Sequence, residues 1–282
     1  MIPCINPVTT GGYGTLKETV LLCERLGFGG FDAELKMFEE YAKGPDLTAA
    51  RKLLEEHGVA LGVAGPGVEF RRDEATFRAG LRGLPEYARK LRSLGCTRSV
   101  TWLYPGVAGD PKAELRRTAT RLRLIARGLG GAGIRFGLEW VGPATARRGK
   151  NPFVHTLDRA LELISLIGEP NVGLLVDSFH WFTANHTYEE LEGLDPRLIV
   201  HVHVNDAPKR PLGNQIDSQR LLPGQGIIDL VGFLRILKRK KYDGFLSVEV
   251  FSDELKQMGW KRAARLAKKA LDSVLARVSG SH

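Results

Sequence analysis

Short apolar runs alternate with longer segments of helical period along the whole chain. The short runs are rich in β-branched and aromatic residues, which is typical of buried parallel strands, and the segments between them repeat apolar residues every three or four positions, as amphipathic helices do. This pattern predicts eight strands, at Ile2 to Asn6, Gly29 to Leu35, Ala60 to Ala64, Arg98 to Leu103, Ile134 to Trp140, Val172 to Asp177, Leu198 to Asn205 and Phe245 to Phe251.

Helices are predicted between these strands and after the last one, at Leu16 to Leu26, Leu47 to His57, Asp73 to Leu94, Pro111 to Leu129, Pro152 to Ile167, Tyr188 to Leu191, Ile228 to Lys240 and Leu255 to Val278. Glycines follow four of them, as C-terminal stops do, at 27, 58, 95 and 168. The eight strand–helix units follow one another without a break in composition, which predicts a single-domain (β/α)8 TIM barrel over residues 1–278. An open doubly wound sheet is the alternative, but NPVTTGGYGTL after the first strand lacks the GxGxxG spacing.

Composition and charge exclude several classes of protein. The 282 residues include 41 Lys and Arg against 32 Asp and Glu, but both signs are interleaved along the predicted helices, which disfavours nucleic-acid binding. No apolar segment approaches the roughly 18 residues that cross a bilayer, and MIPCINPVTT lacks the pattern of a secretory signal, so we expect a cytoplasmic protein. Three widely spaced cysteines predict neither disulfides nor a cysteine zinc site. The residues SGSH at 279–282 resemble the start of an expression tag.

Ionisable residues end four consecutive predicted strands. Active sites of barrels lie at the carboxyl ends of the strands, so we expect these side chains to meet at one rim. His201 faces the same side of its strand as the histidine two positions later and is expected one layer deeper, as a hydrogen-bonded core residue. The four strand-end residues are Glu139 in RFGLEW, Asp177 in VGLLVD, His203 in VHVHVND and Glu249 in LSVEVF.

Two glutamates, one aspartate and one histidine form a mixed oxygen and nitrogen ligand set. Such a set suits Mn²⁺, Mg²⁺, Co²⁺ or Zn²⁺ rather than a soft metal. A divalent cation would also offset the mutual repulsion of three crowded carboxylates. We therefore predict one divalent metal ion, with manganese as the working example, bound by Glu139, Asp177, His203 and Glu249.

Four motifs, GLEWVGP, VGLLVDSFHWF, HVHVNDAP and YDGFLSVEVF, resemble those of the xylose-isomerase-like TIM barrels, which include sugar phosphate isomerases and epimerases, ketose 3-epimerases, hydroxypyruvate isomerases and inosose dehydratases. The resemblance covers essentially the whole chain. It implies that the four strand-end residues bind one divalent metal ion and that His180 contacts substrate oxygens. Ketose 3-epimerases have an arginine where Lys209 stands here, and a second glutamate that WVGPATARRGK lacks, so the resemblance to that branch is weaker.

The predicted site suits proton transfer next to a carbonyl group. A dication bound to adjacent oxygens of a hydroxy-ketone or hydroxy-aldehyde would polarise the carbonyl and stabilise the enediolate. Glu139 and Glu249, which would reach the substrate carbon from opposite faces, are the candidate base and acid, and His180 is the candidate for polarising or protonating a substrate oxygen. We therefore predict a metal-dependent isomerase or epimerase of a sugar, sugar phosphate or polyol, acting in carbohydrate metabolism as a monomer or homodimer.

Aromatic and basic residues near these positions are the candidates for substrate binding. Trp102 and Trp140 lie beside the proposed ligands and would form an apolar wall for a sugar ring, with core packing as the alternative. Lys209 and Arg210 belong to a long loop after the seventh strand and would contact a phosphate or another anion, with a solvated basic loop as the alternative.

Three other functions fit parts of the pattern. A lyase would use the same enediolate to eliminate water from a keto-inositol or a group from a 3-keto sugar. A catalytically silent sugar-binding barrel would hold the metal without turnover, since fold alone does not establish activity. A metal-dependent repair endonuclease would need further ligands, and His57, His155 and His186 do not end predicted strands.

Overall fold

Eight parallel strands form the inner wall of the structure, which is a computed structural model and describes residues 1–280. They pair in the order β3-β2-β1-β8-β7-β6-β5-β4, and a bridge between Ala64 and Ser99 joins the two ends of the sheet, which confirms the predicted (β/α)8 barrel. The strands are β1 Ile2–Ile5, β2 Gly30–Phe31, β3 Ala60–Leu61, β4 Arg98–Trp102, β5 Arg135–Glu139, β6 Val172–Asp177, β7 Ile199–Val204 and β8 Phe245–Val248.

Helices surround the strands and bury their apolar faces against the outside of the barrel. The glycines at 27, 58, 95 and 168 have positive φ angles of 60° to 81°, as predicted for C-terminal stops. The helices are α1 Pro7–Thr10, α2 Leu16–Leu26, α3 Leu35–Ala42, α4 Thr48–Glu56, α5 Glu74–Ser93, α6 Pro111–Gly130, α7 Leu157–Ile167, α8 Ser178–Thr183, α9 Tyr188–Gly193, α10 Leu230–Arg239, α11 Asp253–Gln257 and α12 Trp260–Ser279.

The second strand is shorter than the sequence predicts. It ends at Phe31, whereas the prediction extended it to Leu35, which is the first residue of α3. Leu35 and Phe38 are the buried residues of this helix. Their spacing of three is the helical spacing, but the segment from Phe31 to Leu35 alternates apolar and acidic residues as a strand does. The strand prediction was therefore wrong from Asp32 onward, and α3 was missed.

The helix after the fifth strand begins later than predicted. Pro152, predicted as its first residue, instead belongs to the short strand Asn151–Pro152, which pairs antiparallel with Gly106–Val107. Thr156 then caps α7 by accepting a hydrogen bond from the backbone N–H of Arg159. The long loop after β5 is thereby fixed to the loop after β4.

The last predicted helix is divided in two. Gly259 adopts a φ of +79° between α11 and α12, which no helical residue does. The second part ends at Ser279, and Ser281 and His282 of the proposed tag lie outside the described residues. None of the helices in residues 1–280 combines the length and the hydropathy that crossing a bilayer requires.

Strand register aligns the residues at the carboxyl rim. Glu139 on β5 pairs with Trp102, Asp177 on β6 pairs with His203, and His203 on β7 pairs with Ser247. β6 and β7 pack closely below this level, because a side chain at Gly173 would meet the backbone oxygen of Leu198 at 2.2 Å. The strand ends therefore form a fixed ring that carries the ionisable side chains.

Candidate metal centre

The four predicted ligands converge at the carboxyl rim of the barrel. The Nδ1 atom of His203 lies 3.2 Å from Glu249 Oε2, 3.5 Å from Glu139 Oε1 and 3.9 Å from Asp177 Oδ2. One ligand atom from each residue lies within 4.8 Å of the others, and all four side chains are nearly or fully buried. The donor set is the one that divalent ions of intermediate hardness prefer, so these residues fit such an ion.

Two of the four ligand atoms have no other polar partner among the described residues. Glu139 Oε1 and His203 Nδ1 are buried and make no hydrogen bond there. Buried polar atoms are normally hydrogen-bonded, and an unpaired one costs about 1–3 kcal/mol. A cation between these atoms and Glu249 would supply the missing partner of both.

The start of helix α8 orients Asp177. Its Oδ1 atom accepts the backbone N–H groups of Phe179 and His180 at 2.7 and 2.9 Å, as an N-cap does. Its Oδ2 atom accepts the side-chain amide of Asn205 at 2.7 Å. The same amide donates to the backbone oxygen of Glu249 at 3.1 Å, so Asn205 joins the ends of β6, β7 and β8.

A second buried cluster lies below the first. Asp32, at the end of β2, has its Oδ2 atom 3.6 Å from His201 Nε2 and 3.9 Å from His203 Nε2. Asn6 and Ser247 both donate hydrogen bonds to this oxygen. His201 is fully buried one layer deeper, as predicted, but 3.6 Å is longer than a hydrogen bond, so His201 does not make the expected one.

Burial and charge shift the pKa values of the cluster in different directions. Burial raises the pKa of Glu139, and the nearby His203 only partly offsets it. Burial acts in the same sense on Glu249 and Asp177, but His203 and Arg220 outweigh it and lower both pKa values. His203 is desolvated too, yet the surrounding carboxylates raise its pKa well above the ordinary value. The two glutamates are therefore not equivalent.

Arg220 lies within the candidate site and was not predicted from the sequence. Its Nη1 atom donates to Glu249 Oε2 at 2.8 Å and to Asp177 Oδ2 at 3.0 Å, and its Nη2 atom donates to Asp217 Oδ1 at 2.8 Å. Only 3% of the residue is exposed. The long loop after β7 thus inserts a positive charge directly beside two of the predicted metal ligands.

His180 faces this arginine. Its Nε2 atom lies 3.0 Å from Arg220 Nη2, and its Nδ1 atom lies 3.3 Å from the backbone nitrogen of Gly142. A neutral imidazole has only one acceptor nitrogen, so it accepts from one of these two donors and not from both. A guanidinium only donates, so Nε2 is an acceptor in this arrangement. His180 lines the same cavity as Glu139 and Glu249, and its contact with substrate oxygens stays a prediction.

Two cavities open on the centre. One, of about 350 Å³, is lined by Asn6, Glu34 and Arg71 among others, and the second, of about 470 Å³, is lined by Tyr104, Lys150, Asp217 and Phe251 among others. Trp102, Glu139 and Glu249 line both of them.

The predicted substrate-binding residues have different environments. Trp102 is 45% exposed and lines both cavities, whereas Trp140 is buried and donates to the backbone oxygen of His180 at 3.3 Å, so it packs in the core. Lys209 and Arg210 lie outside the lining of the two cavities, and Arg210 donates to Gln219 at 2.7 Å. The structure therefore brings only Trp102 of these four residues to the site.

Two of the histidines that do not end predicted strands also lie outside the metal centre. His57 contacts Glu24 on the helical layer at 3.0 Å, and His186 accepts the backbone N–H of Leu157 at 2.9 Å. The extra histidine ligands that a repair endonuclease would need are thus engaged elsewhere.

Asp206 fixes the loop that carries Arg220. Its Oδ1 atom accepts the backbone N–H groups of Ala207 and Ile228, and its Oδ2 atom accepts those of Gly224 and Gly226, all within 3.0 Å. Its own backbone pairs with Leu221, the residue after Arg220.

Replacing Asp206 with asparagine is expected to lower the free energy of unfolding by about 3 kcal/mol, because the new amide group faces two N–H donors instead of accepting from them. Urea denaturation measures this change. Asp253→Asn, a change at an 89% exposed side chain, is the control and should alter stability by about 0.5 kcal/mol or less. Equal stability of Asp206→Asn and the wild type would mean that the loop is held in another way.

Comparison with known proteins agrees with this geometry. The family model described as xylose isomerase-like TIM barrel matches residues 20–274. An inosose isomerase of Bacillus velezensis is 27% identical over 97% of this chain and 97% of its own length. A 3-dehydroshikimate dehydratase of Pseudomonas aeruginosa is 30% identical over 85% of this chain, which corresponds to 37% of that longer protein.

Solved structures agree as well. A xylose isomerase domain protein from Alicyclobacillus acidocaldarius has a TM-score of 0.90 at 32% identity, covering 99% of this chain and 100% of its own. The IOLI protein with a bound zinc atom has a TM-score of 0.84 at 26% identity, and the match covers 100% of both chains. With the closed barrel and the four ligands at its rim, these matches show that the chain belongs to the xylose isomerase-like TIM barrel family.

Proposed function

We propose that the protein is a divalent-metal-dependent isomerase or epimerase of a sugar or polyol, which moves a proton next to a carbonyl group. The observation that carries this proposal is the position of Glu139 and Glu249. Both carboxylates line both cavities, and both belong to the ligand set around His203. The similarity to inosose isomerase supports the same class of reaction.

The two glutamates would divide the proton transfer between them. Glu139 ends β5 and Glu249 follows β8, so they approach from either side of β6 and β7. When bound, a divalent ion supplies the electrophile that stabilises the enediolate. One glutamate removes the proton from carbon and the other returns it, either to the same carbon for epimerisation or to its neighbour for isomerisation.

The lining of the cavities favours an uncharged polyhydroxy substrate over a sugar phosphate. Arg71 donates to Glu69, Thr101 and the backbone oxygen of Trp102, and both Nη atoms of Arg220 are engaged by carboxylates and His180. Within residues 1–280, Lys150 is the lining cation without a side-chain hydrogen bond or salt bridge. A phosphate group is usually held by several cations or N–H donors, so an inosose or a free ketose fits better.

The identity of the metal, the cellular location and the oligomeric state are also part of the proposal. Manganese and zinc both suit the ligand set, and zinc is bound in the related IOLI structure. Three buried cysteines without a disulfide agree with a cytoplasmic protein of carbohydrate metabolism. We expect a monomer or homodimer.

Deuterium incorporation tests the proposal. The purified protein is incubated in heavy water with inososes, free ketoses, aldoses and their phosphates, with and without Mn²⁺ or Zn²⁺, and products are analysed by mass spectrometry. Metal-dependent gain of one deuterium in an uncharged substrate is the expected result. Loss of water from the product would favour the lyase, which the similarity to 3-dehydroshikimate dehydratase supports as second candidate. Metal binding without exchange across the panel would indicate a silent sugar-binding barrel.

Trp102 is expected to contribute substrate binding. Its ring lies 4.3 Å from the Arg71 guanidinium and 5.1 Å from the Tyr104 ring, which fixes an exposed aromatic face at the mouth of both cavities. Trp102→Ala should raise KM about tenfold, which corresponds to about 1.4 kcal/mol of stacking, and should leave the metal affinity unchanged. Trp102→Phe, which keeps an aromatic face, should retain most of the binding. An unchanged KM in Trp102→Ala would exclude this residue from the substrate site.

A further inference from the structure

Arg220 brings a second cation to the carboxylates that would hold the metal ion. Its guanidinium donates to Asp177 and Glu249 with Nη1, and to Asp217 and His180 with Nη2, at 2.8 to 3.0 Å. Charge-assisted hydrogen bonds of this length are strong. Of the four predicted metal ligands, two are therefore bonded to a permanent positive charge of the protein itself.

Asp177 has no unused hydrogen-bonding position. A carboxylate offers about four lone-pair positions, and Asp177 receives four donors: two backbone N–H groups of α8 at Oδ1, and Asn205 and Arg220 at Oδ2. The backbone donors are fixed by the helix. Asn205 is held by Ser178, which donates to its Oδ1 atom at 2.9 Å. Arg220 is the only charged one of these four donors, so an ion ligated by Asp177 would share the carboxylate with a second cation.

Arg220 is also held in place. Its guanidinium carbon lies 5.2 Å from the centre of the Phe179 ring and 4.8 Å from that of Phe251, so aromatic faces confine it. Its loop is fixed by the backbone pair between Asp206 and Leu221. A confined guanidinium does not move far from the carboxylates when another cation approaches.

We propose that Arg220 is a built-in counter-cation of the metal centre, which positions Asp177 and Glu249 and at the same time weakens binding of the divalent ion. This inference rests on the proposed function, since it assumes that these carboxylates are ligands. Two positive charges on the same buried carboxylates repel each other, and the repulsion is large where water is excluded. A purely structural arginine would have the opposite effect on affinity, because its removal would disorder the ligands.

Calorimetric titration with Mn²⁺ and with Zn²⁺ separates these two roles. Arg220→Gln, which removes the charge, is expected to bind the ion at least about tenfold more tightly than the wild type, and Arg220→Lys, which keeps the charge, should stay within about threefold of it. Arg197→Gln is the control, because Arg197 is an 88% exposed arginine paired with Asp195. The metal affinity of this variant should equal that of the wild type.

Equal or weaker binding by Arg220→Gln would overturn the inference and leave Arg220 a scaffold residue. If this variant does not fold, Asp217→Asn provides the test. Asp217 is the partly exposed partner of Arg220. Without the charge of Asp217 the arginine is less neutralised, so the affinity for the divalent ion should fall about threefold or more. Unchanged or tighter binding by Asp217→Asn would overturn the inference. Wild-type protein that binds neither ion would contradict the proposed function as well.

Discussion

Replacing Glu139 with glutamine is expected to slow metal-dependent exchange of the substrate proton by a factor of about 10³, within the range known for loss of a positioned acid or base. Glu139 is buried, lines both cavities and has no hydrogen-bond partner for Oε1 among residues 1–280. Glutamine keeps the size of the side chain but neither takes up a proton nor binds a hard cation well. The rate of deuterium incorporation measures the effect.

Metal content must be measured in the same Glu139→Gln sample, because Glu139 is both a candidate ligand and a candidate base. If the variant retains the ion but loses exchange, Glu139 acts in proton transfer. If it loses both the ion and exchange, the effect of the substitution comes from lost metal ligation. Glu55→Gln, a change at a 63% exposed glutamate, is the control and should exchange at the wild-type rate. Wild-type exchange in Glu139→Gln would remove Glu139 from the mechanism.

Saturation with a divalent ion is expected to raise the free energy of unfolding by about 4 kcal/mol when the free ion exceeds Kd a thousandfold. The proposed ligands are three buried carboxylates and one histidine, which come together only in the folded barrel. Denaturation in urea with added Mn²⁺, and again after a chelator, measures the gain and its reversal.

His203→Ala should lose this gain in stability, because Nδ1 is the atom on which the three carboxylates converge. His57→Ala is the matched control: His57 contacts Glu24 on the helical layer and its replacement should preserve the full gain. Stabilisation of His203→Ala by the ion to the same extent as the wild type would place the binding site elsewhere.

Most of the barrel follows from hydrophobic pattern. β6 and β7, which are buried on both faces, were predicted within one residue at each end, because a continuous apolar run has few other interpretations. The pattern failed where one alternating segment crosses an element boundary. Phe31 and Leu35 belong to the same alternation of apolar and acidic residues, yet the first ends a strand and the second starts a helix.

The ligand cluster was predictable because it obeys one rule, that ionisable residues at strand ends meet at the rim. Asp32 obeys the same rule at the end of β2 and was missed only because the predicted strand extended past it. Arg220 obeys no such rule. It lies in an irregular loop whose path is set by contacts with Asp177, Asp206 and Glu249, which no local pattern encodes.

β7 and the two residues after it carry polar side chains that are costly in a core. His203 is a candidate ligand, His201 lies beneath it, Asn205 bonds Asp177 and joins three strand ends, and Asp206 pins the returning loop by four backbone N–H groups. Asn205 and Asp206, the polar residues directly after the strand, thus each have a structural role.

The metal site is best tested by elemental analysis of wild-type protein and His203→Ala, both purified without chelator after growth with added manganese. We expect about one divalent ion per chain in the wild type and its loss in the variant, with the fold intact by circular dichroism. Wild-type protein that takes up no ion even on titration with Mn²⁺, Zn²⁺, Co²⁺ or Mg²⁺, or a variant that keeps the same content, would contradict a metal site at His203.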